Sequence, residues 1–343
     1  MRSTAIFLVI FLHVTNTFYN QITPGTITDI QWWTFVGYKS LALSCVPLFV
    51  ILTGSLLLQP AKLDEPIKEF LKKRSKRIGL AFVFWTLIYL LWSFQITNTP
   101  LTIYTVSMGL TTSFFTGAYY HFWYLYLIAG LYLITPLLRA GVVFKDPKLV
   151  TYLIGVWLIS ITIIPLLPLL TGFNVPGELF LVGGYIGYFL SGAYLQKKRL
   201  KRRFIYSFLI VGFIFTLAST WVMTYRIEPV SNDYVFFDYL ALNVVVMSIG
   251  AYAFLSRFPR DWPGKNHPTI QKIIHTVSEH TLPIYLLHVI VLETLSRGLL
   301  GFTMNLTIMP LVQVPLASIA ILFITLGIIL LLKKIPGIKT LIG

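Results

Sequence analysis

Ten stretches of this chain stay apolar for about the length that crosses a bilayer, near 20 residues each. They fall at roughly 3–19, 33–58, 78–96, 121–140, 148–170, 178–195, 204–224, 234–256, 281–300 and 311–332. In hydrocarbon the backbone N–H and C=O groups must be bonded within the segment, so each stretch is expected to be helical. Only 11% of residues are charged and 56% are hydrophobic, with mean hydropathy +0.78. A soluble domain carries about 25% charged residues. The expected fold class is therefore all-α, a polytopic integral membrane protein with about ten transmembrane helices. It reads as a single domain over 1–343, with no soluble appendage.

The net charge of +15 invites a nucleic-acid reading, but the placement of the charges argues for topology. With the N-terminus in the cytoplasm, all but three of the 27 Lys and Arg residues fall in or beside inside segments; the exceptions are Lys39, Arg226 and Arg297. The 97–120 loop on the opposite side has no charge. Excess Lys and Arg mark cytoplasmic loops, so both termini are expected inside and no nucleic-acid partner is implied. The richest clusters, 68–77 and 197–203, would meet anionic lipid or grip a phosphorylated ligand. The opening "MRSTAIFLVIFLHV" runs into "TNTFYN" rather than a small-residue cleavage site, so it reads as a first membrane helix, not a signal peptide. The lone Cys45 permits no intrachain disulfide.

Ionisable groups inside a bilayer are costly and are functional candidates by default. His13 stands eleven residues after Arg2. On a helix that offset puts the two about 20° apart on one face and about 16 Å apart along it, with His13 near mid-membrane. An imidazole there suits general-base work on a hydroxyl; the alternative is a histidine that only bonds a neighbouring helix. On the outer half lie Lys39, Glu178 and Asp238, the last expected one turn into its helix, and Glu293 and Arg297, which can pair at i,i+4. His288 lies deeper, with Tyr285 on a similar face. His121, Trp123, Tyr124 and Tyr126 form either an interfacial belt or an aromatic wall of the kind that holds sugars. His275 and His280 fall in an expected cytosolic linker. No Gly-rich phosphate loop with Lys-Ser/Thr, no His-Glu-x-x-His and no Cys/His metal spacing occurs, so no metal is expected. A short echo, "ILTGSLLLQ" (51–59) and "FLSGAYLQ" (189–196), puts small residues where two helices can approach closely.

Several of these stretches form a collinear set. They are Arg2-x10-His13, "VPLFVILTGSLLL" (46–58), "KKRSKRIG" (72–79), "YHFWYLYLIAGLYLITPLLR" (120–139) and "LPIYLLHVIVL" (282–292). Together they resemble the acyltransferase-3 family of membrane acyltransferases over essentially the whole chain, and within it the stand-alone members that O-acetylate cell-envelope glycans. Thr53-Gly54-Ser55 stands where Ser-Gly-Tyr is common in that family.

The resemblance implies transfer of an acetyl group from acetyl-CoA, as acyl donor, to a hydroxyl of an envelope or exported polysaccharide or its lipid-linked precursor. His13 and Arg2 match the family's essential pair. Lys73, Arg74 and Arg77 would hold the donor's anionic nucleotide. Lys39, His121, Trp123, Tyr124, Asp238, Tyr285, His288, Glu293 and Arg297 would line the acceptor half. Expected partners are the glycan or lipid-linked sugar, membrane lipids and polysaccharide-biosynthesis enzymes, at a bacterial cytoplasmic membrane. No extracytoplasmic esterase-like domain is expected, so the membrane part or a partner would complete the transfer. Both direct transfer and relay through an acyl-imidazole fit these residues. The rival reading is a carrier or flippase for a glycan, which would need no thioester.

Overall fold

The computed structural model describes residues 1–23, 25–140, 147–171, 184–226, 235–259, 262–264 and 267–343. Among them every regular element is helical. The first, α1 (Arg2–Asn20), is the hub. It packs against α2 (Asp29–Ala42), α3 (Cys45–Leu57), α11 (Pro268–Glu279), α12 (Thr281–Ser296) and α13 (Pro310–Leu332). Its buried side chains, among them Ile6, Ile10, Val14 and Phe18, leave almost no surface exposed. A residue midway along α1 is thereby enclosed by helices drawn from both ends of the sequence.

The remaining elements are α4 (Ile67–Thr97), α5 (Ile103–Thr116), α6 (Trp123–Leu138), α7 (Pro147–Thr171), α8 (Ile186–Lys197), α9 (Arg202–Arg226), α10 (Leu242–Leu255) and the short α14 (Ile338–Leu341). Among the described residues, four stretches are helical, long and apolar enough to cross a membrane: 29–57, comprising α2 and α3, then α4, 202–224 of α9, and α13. Shorter apolar helices cover 123–138, 148–162, 242–255 and 281–296. Several buried helical hydroxyls are satisfied locally: Thr15, Ser40, Thr135 and Ser318 each donate to the carbonyl four residues earlier.

Three expectations are corrected. The 33–58 stretch is broken between Leu43 and Ser44. Pro47 supplies the reason, since its ring clashes with the carbonyl four residues back and it has no N–H to donate. The basic 68–77 segment is not loop but the first three turns of α4, a 31-residue helix about 46 Å long, which outruns a hydrocarbon core of about 30 Å. The uncharged 97–120 loop contains α5, started by a reciprocal Thr102–Thr105 cap and packed on α4. Its exposed Ile103, Met108 and Phe115 suit lipid.

Helices α3 and α8 meet through the two echoing segments. A Cβ added to Gly54 would stand 1.9 Å from the Phe189 carbonyl oxygen, and one added to Gly192 would stand 2.1 Å from that of Ile51. Each glycine therefore lies against the backbone of the other segment.

Candidate active site

The positions of α1, α12 and the 117–122 segment bring three histidines together. His13 of α1 and His288 of α12 have ring centroids 5.2 Å apart, and His288 and His121 are 5.7 Å apart. His121 is not at the outer surface, as its place at the start of an apolar stretch suggested. It is 1% exposed, because α5 ends at Gly117, whose φ of 95° lets the chain turn inward. His288 is fully buried, whereas His13 is only half-buried. His13 also packs beside Tyr120, 5.3 Å away between centroids and itself 54% exposed. His13 is thus the accessible member of the cluster.

Tyr285 ties the cluster together. Its hydroxyl donates to the His121 carbonyl, and its own carbonyl accepts from His288 Nδ1 at 2.7 Å. A carbonyl only accepts, so Nδ1 carries the proton in the neutral ring and Nε2 keeps its lone pair. That Nε2 is buried with no hydrogen-bond partner, as are both ring nitrogens of His121. Buried polar atoms are nearly always satisfied, so the unpartnered Nε2 of His288 leaves a lone pair free beside His13.

A cavity of about 450 Å³ runs from the basic end of the helices to Tyr285, without reaching the histidines themselves. Arg2, Lys62, Arg74 and Arg77 stand in its wall, and Tyr124 and Tyr285 stand with them. Tyr285 contacts both His121 and His288, at 5.5 and 5.9 Å between centroids. One aromatic ring therefore separates the cavity from His288, and His13 lies one ring beyond. The mouth is stiffened by stacked cations and rings: the Phe70 ring has the Arg139 guanidinium at 4.6 Å and that of Arg74 at 5.6 Å. Arg139 is buried, donates to the Leu57 carbonyl at 2.8 Å and pairs with Glu65 at 3.0 Å.

Beside His121, Glu293 gathers three groups. It accepts from Tyr119 Oη at 2.6 Å and from Trp92 Nε1 at 3.1 Å, and it lies 3.4 Å from Arg297 Nε. The anticipated Glu293–Arg297 pairing is present and reaches further than the helix face that suggested it. The carboxylate fixes Tyr119, and with it the segment that carries Tyr120 and His121.

Other anticipated residues go elsewhere. Lys73 is exposed and does not line the cavity; only Arg74 and Arg77 of that trio do. Asp238 is not inside a helix. It sits in a turn before α10, capping the Leu240 N–H at 2.6 Å. Lys39 lies over the rings of Phe35 and Phe237, at 5.1 and 4.9 Å, and so groups with the Asp238 turn rather than with the histidines. Trp123 faces Tyr185 and Tyr239, at 5.8 and 5.9 Å. It extends the wall begun by Tyr124 and Tyr285, whose centroids are 5.4 Å apart. Glu178 lies outside the described residues. The 267–280 linker is largely helix α11, on which His275 is exposed and 3.5 Å from Glu279; His280 is half-buried, its Nδ1 2.8 Å from the Thr276 carbonyl. Sequence reasoning missed Tyr119, Tyr120, Trp92, Phe70 and the structural use of Arg139. Gly117 was the one available signal, since a glycine ending an apolar run marks an inward turn.

Among the described residues no group of three or more His, Cys, Asp or Glu side chains is arranged to hold a metal ion. The model of the acyltransferase-3 family, described as an acyltransferase domain, matches residues 1–333. The chain belongs to this family. Neither a curated protein nor a solved structure matches it. As an acyltransferase of a membrane-embedded family, it transfers acyl groups to hydroxyls. The half-buried His13 adjoins the exposed Tyr120 on one side and, through His288 and Tyr285, a cation-rimmed cavity on the other.

Proposed function

We propose that this acyltransferase moves an acetyl group from acetyl-CoA to a hydroxyl of a cell-envelope or exported glycan, or of its lipid-linked precursor, at a bacterial cytoplasmic membrane. The observation that carries the reading is the cavity rimmed by Arg2, Arg74 and Arg77 and closed by Tyr285 beneath the histidine cluster. Its cationic mouth suits the phosphates of a nucleotide-bearing thioester, since guanidinium binds phosphate through paired, charge-assisted bonds. Its apolar upper half, with Leu125 and Ile128 in the wall, suits an uncharged pantetheine arm. Arg2 belongs to this donor-holding rim, about 16 Å along the helix from His13.

In this reading the acceptor hydroxyl approaches from the Tyr120 side and gives its proton to His13. The oxygen attacks the thioester carbonyl, the C–S bond breaks, and the leaving thiolate takes up a proton from the imidazolium. His288 holds a defined tautomer next to His13, and the Tyr285 ring moves aside to let the thioester pass. Trp123, beside Tyr185 and Tyr239, faces the sugar, whereas Tyr124 and Tyr285 border the donor cavity. The test is purified protein in lipid nanodiscs with radiolabelled acetyl-CoA and an isolated envelope-glycan fraction. Label should enter the glycan with wild type and not with His13→Ala. Glycan translocated without incorporation of label would reject the enzymatic reading in favour of a carrier.

A further inference from the structure

A second basic hollow lies at the Arg202 end of α9, in the walls of which neither the histidines nor the residues of the first cavity take part. Two adjoining cavities of about 420 and 260 Å³ share Arg202, Ile205, Arg257 and Phe258, and Arg199 lines the larger. Helices α9 and α10 bring these residues together because they pack closely, Gly250 lying against Phe208 and Ile205. Arg257 is held in place by Nη2 donating to the Leu200 carbonyl at 2.7 Å. Among the described residues no carboxylate lines either cavity, and none pairs with Arg199, Arg202 or Arg257. Three guanidinium groups thus converge with no anion among the described residues.

We propose that this hollow binds the phosphate head of an anionic phospholipid. Guanidinium–phosphate bonding would accept a free phosphate as well, and two features favour the lipid. Tyr206, Phe254, Phe258 and Trp262 form a chain of rings at this level, with centroids 6.4, 5.3 and 5.4 Å apart in turn. Amphipathic rings of this kind sit at headgroup depth. Directly along α9 from the arginines, Tyr206, Ile210 and Ile214 stand 51%, 61% and 54% exposed at successive i+4 positions, one apolar stripe on a face that no helix among the described residues covers. A phosphate in the hollow would have its acyl chains lying on that stripe, whereas a soluble phosphate has no use for it.

The test uses the full chain purified into phosphatidylcholine nanodiscs doped with phosphatidylglycerol, read by native mass spectrometry for co-isolated lipid. Wild type should retain phosphatidylglycerol over phosphatidylcholine, and R202Q/R257Q should lose that preference by about 10- to 30-fold, as two lost cation contacts at a membrane surface imply. A control, K333Q/K334Q, removes two charges elsewhere and should leave retention unchanged. Thermal-shift arms with inorganic phosphate separate the sources: stabilisation by phosphatidylglycerol but not by phosphate supports the lipid. Equal stabilisation by phosphate, equal loss in the control, or no wild-type preference overturns the proposal. If R202Q/R257Q does not fold, the wild-type lipid competition decides alone.

Discussion

The imidazoles of His13 and His288 face each other at 5.2 Å between centroids, one half-open and the other sealed. With the His288 proton held on Nδ1 by the Tyr285 carbonyl, a lone pair sits beside the ring assigned to take the acceptor's proton. Replacing His288 with Asn should therefore lower kcat by about 10²-fold or more, the usual range for losing an acid–base group, with the protein still inserted and monodisperse. The double change H13A/H288N should be no worse than H13A alone, since groups acting as a unit are non-additive. Full acetyl transfer by H288N would end the paired-histidine account.

Arg74 and Lys73 are neighbours in sequence with opposite fates. Arg74 lies against Phe70 and Tyr132 in the cavity wall, while Lys73 is exposed away from it. Arg74→Gln should raise KM for acetyl-CoA about 10-fold or more, the scale of one lost charge-assisted phosphate contact, with little change in acceptor KM. Lys73→Gln should leave both constants near wild type. Steady-state kinetics varying each substrate separately checks this. Equal effects of the two variants would show that bulk positive charge, not the cavity, recruits the donor.

Glu293 acts on the site through Tyr119. Its exposed ion pair with Arg297 is worth little, because Arg297 is 48% exposed. The charge-assisted bonds from Tyr119 and Trp92 are worth more, about 1.5–3 kcal/mol each. Glu293→Ala should lower thermal stability measurably and raise acceptor KM more than donor KM, as the Tyr120–His121 segment loosens. Tyr119→Phe should reproduce the acceptor effect in weaker form. A change confined to donor KM would mean that this segment does not border the acceptor route.

The parts of this architecture that depend on local periodicity were legible in the sequence: an all-helical chain, with Arg2 and His13 on one helix. What was lost depends on long-range packing. Gly117 marks a turn locally, but that this turn brings His121 to His288 is settled only once α5 has packed on α4. Lys73 and Arg74 look alike in sequence, and only the rotation of α4 against Tyr132 separates them. The break before α3 has a local cause in Pro47, which disfavours a continuous helix through Leu43, but the unbroken run of apolar residues masks it.

The echo between 51–59 and 189–196 is the sequence signal that the structure makes most physical. Gly54 and Gly192 each abut the other segment's backbone, so neither can gain a methyl group without separating α3 from α8. Overpacking of this kind costs about 1–3 kcal/mol, and here the obstructing atoms are backbone carbonyls that cannot rotate away. Gly54→Ala or Gly192→Ala should lower the melting temperature and the yield of folded protein. Gly327→Ala on α13, where an added Cβ meets nothing within 4 Å, should be neutral or slightly stabilising, since alanine favours a helix by about 1 kcal/mol over glycine. Fluorescence-detected size exclusion with a temperature ramp compares the three. Because α3 also carries Phe49 and Thr53 of the donor cavity, the two damaging variants should lose acetyl-CoA affinity in whatever fraction still folds. Unchanged affinity there would mean that the cavity does not depend on the α3–α8 contact.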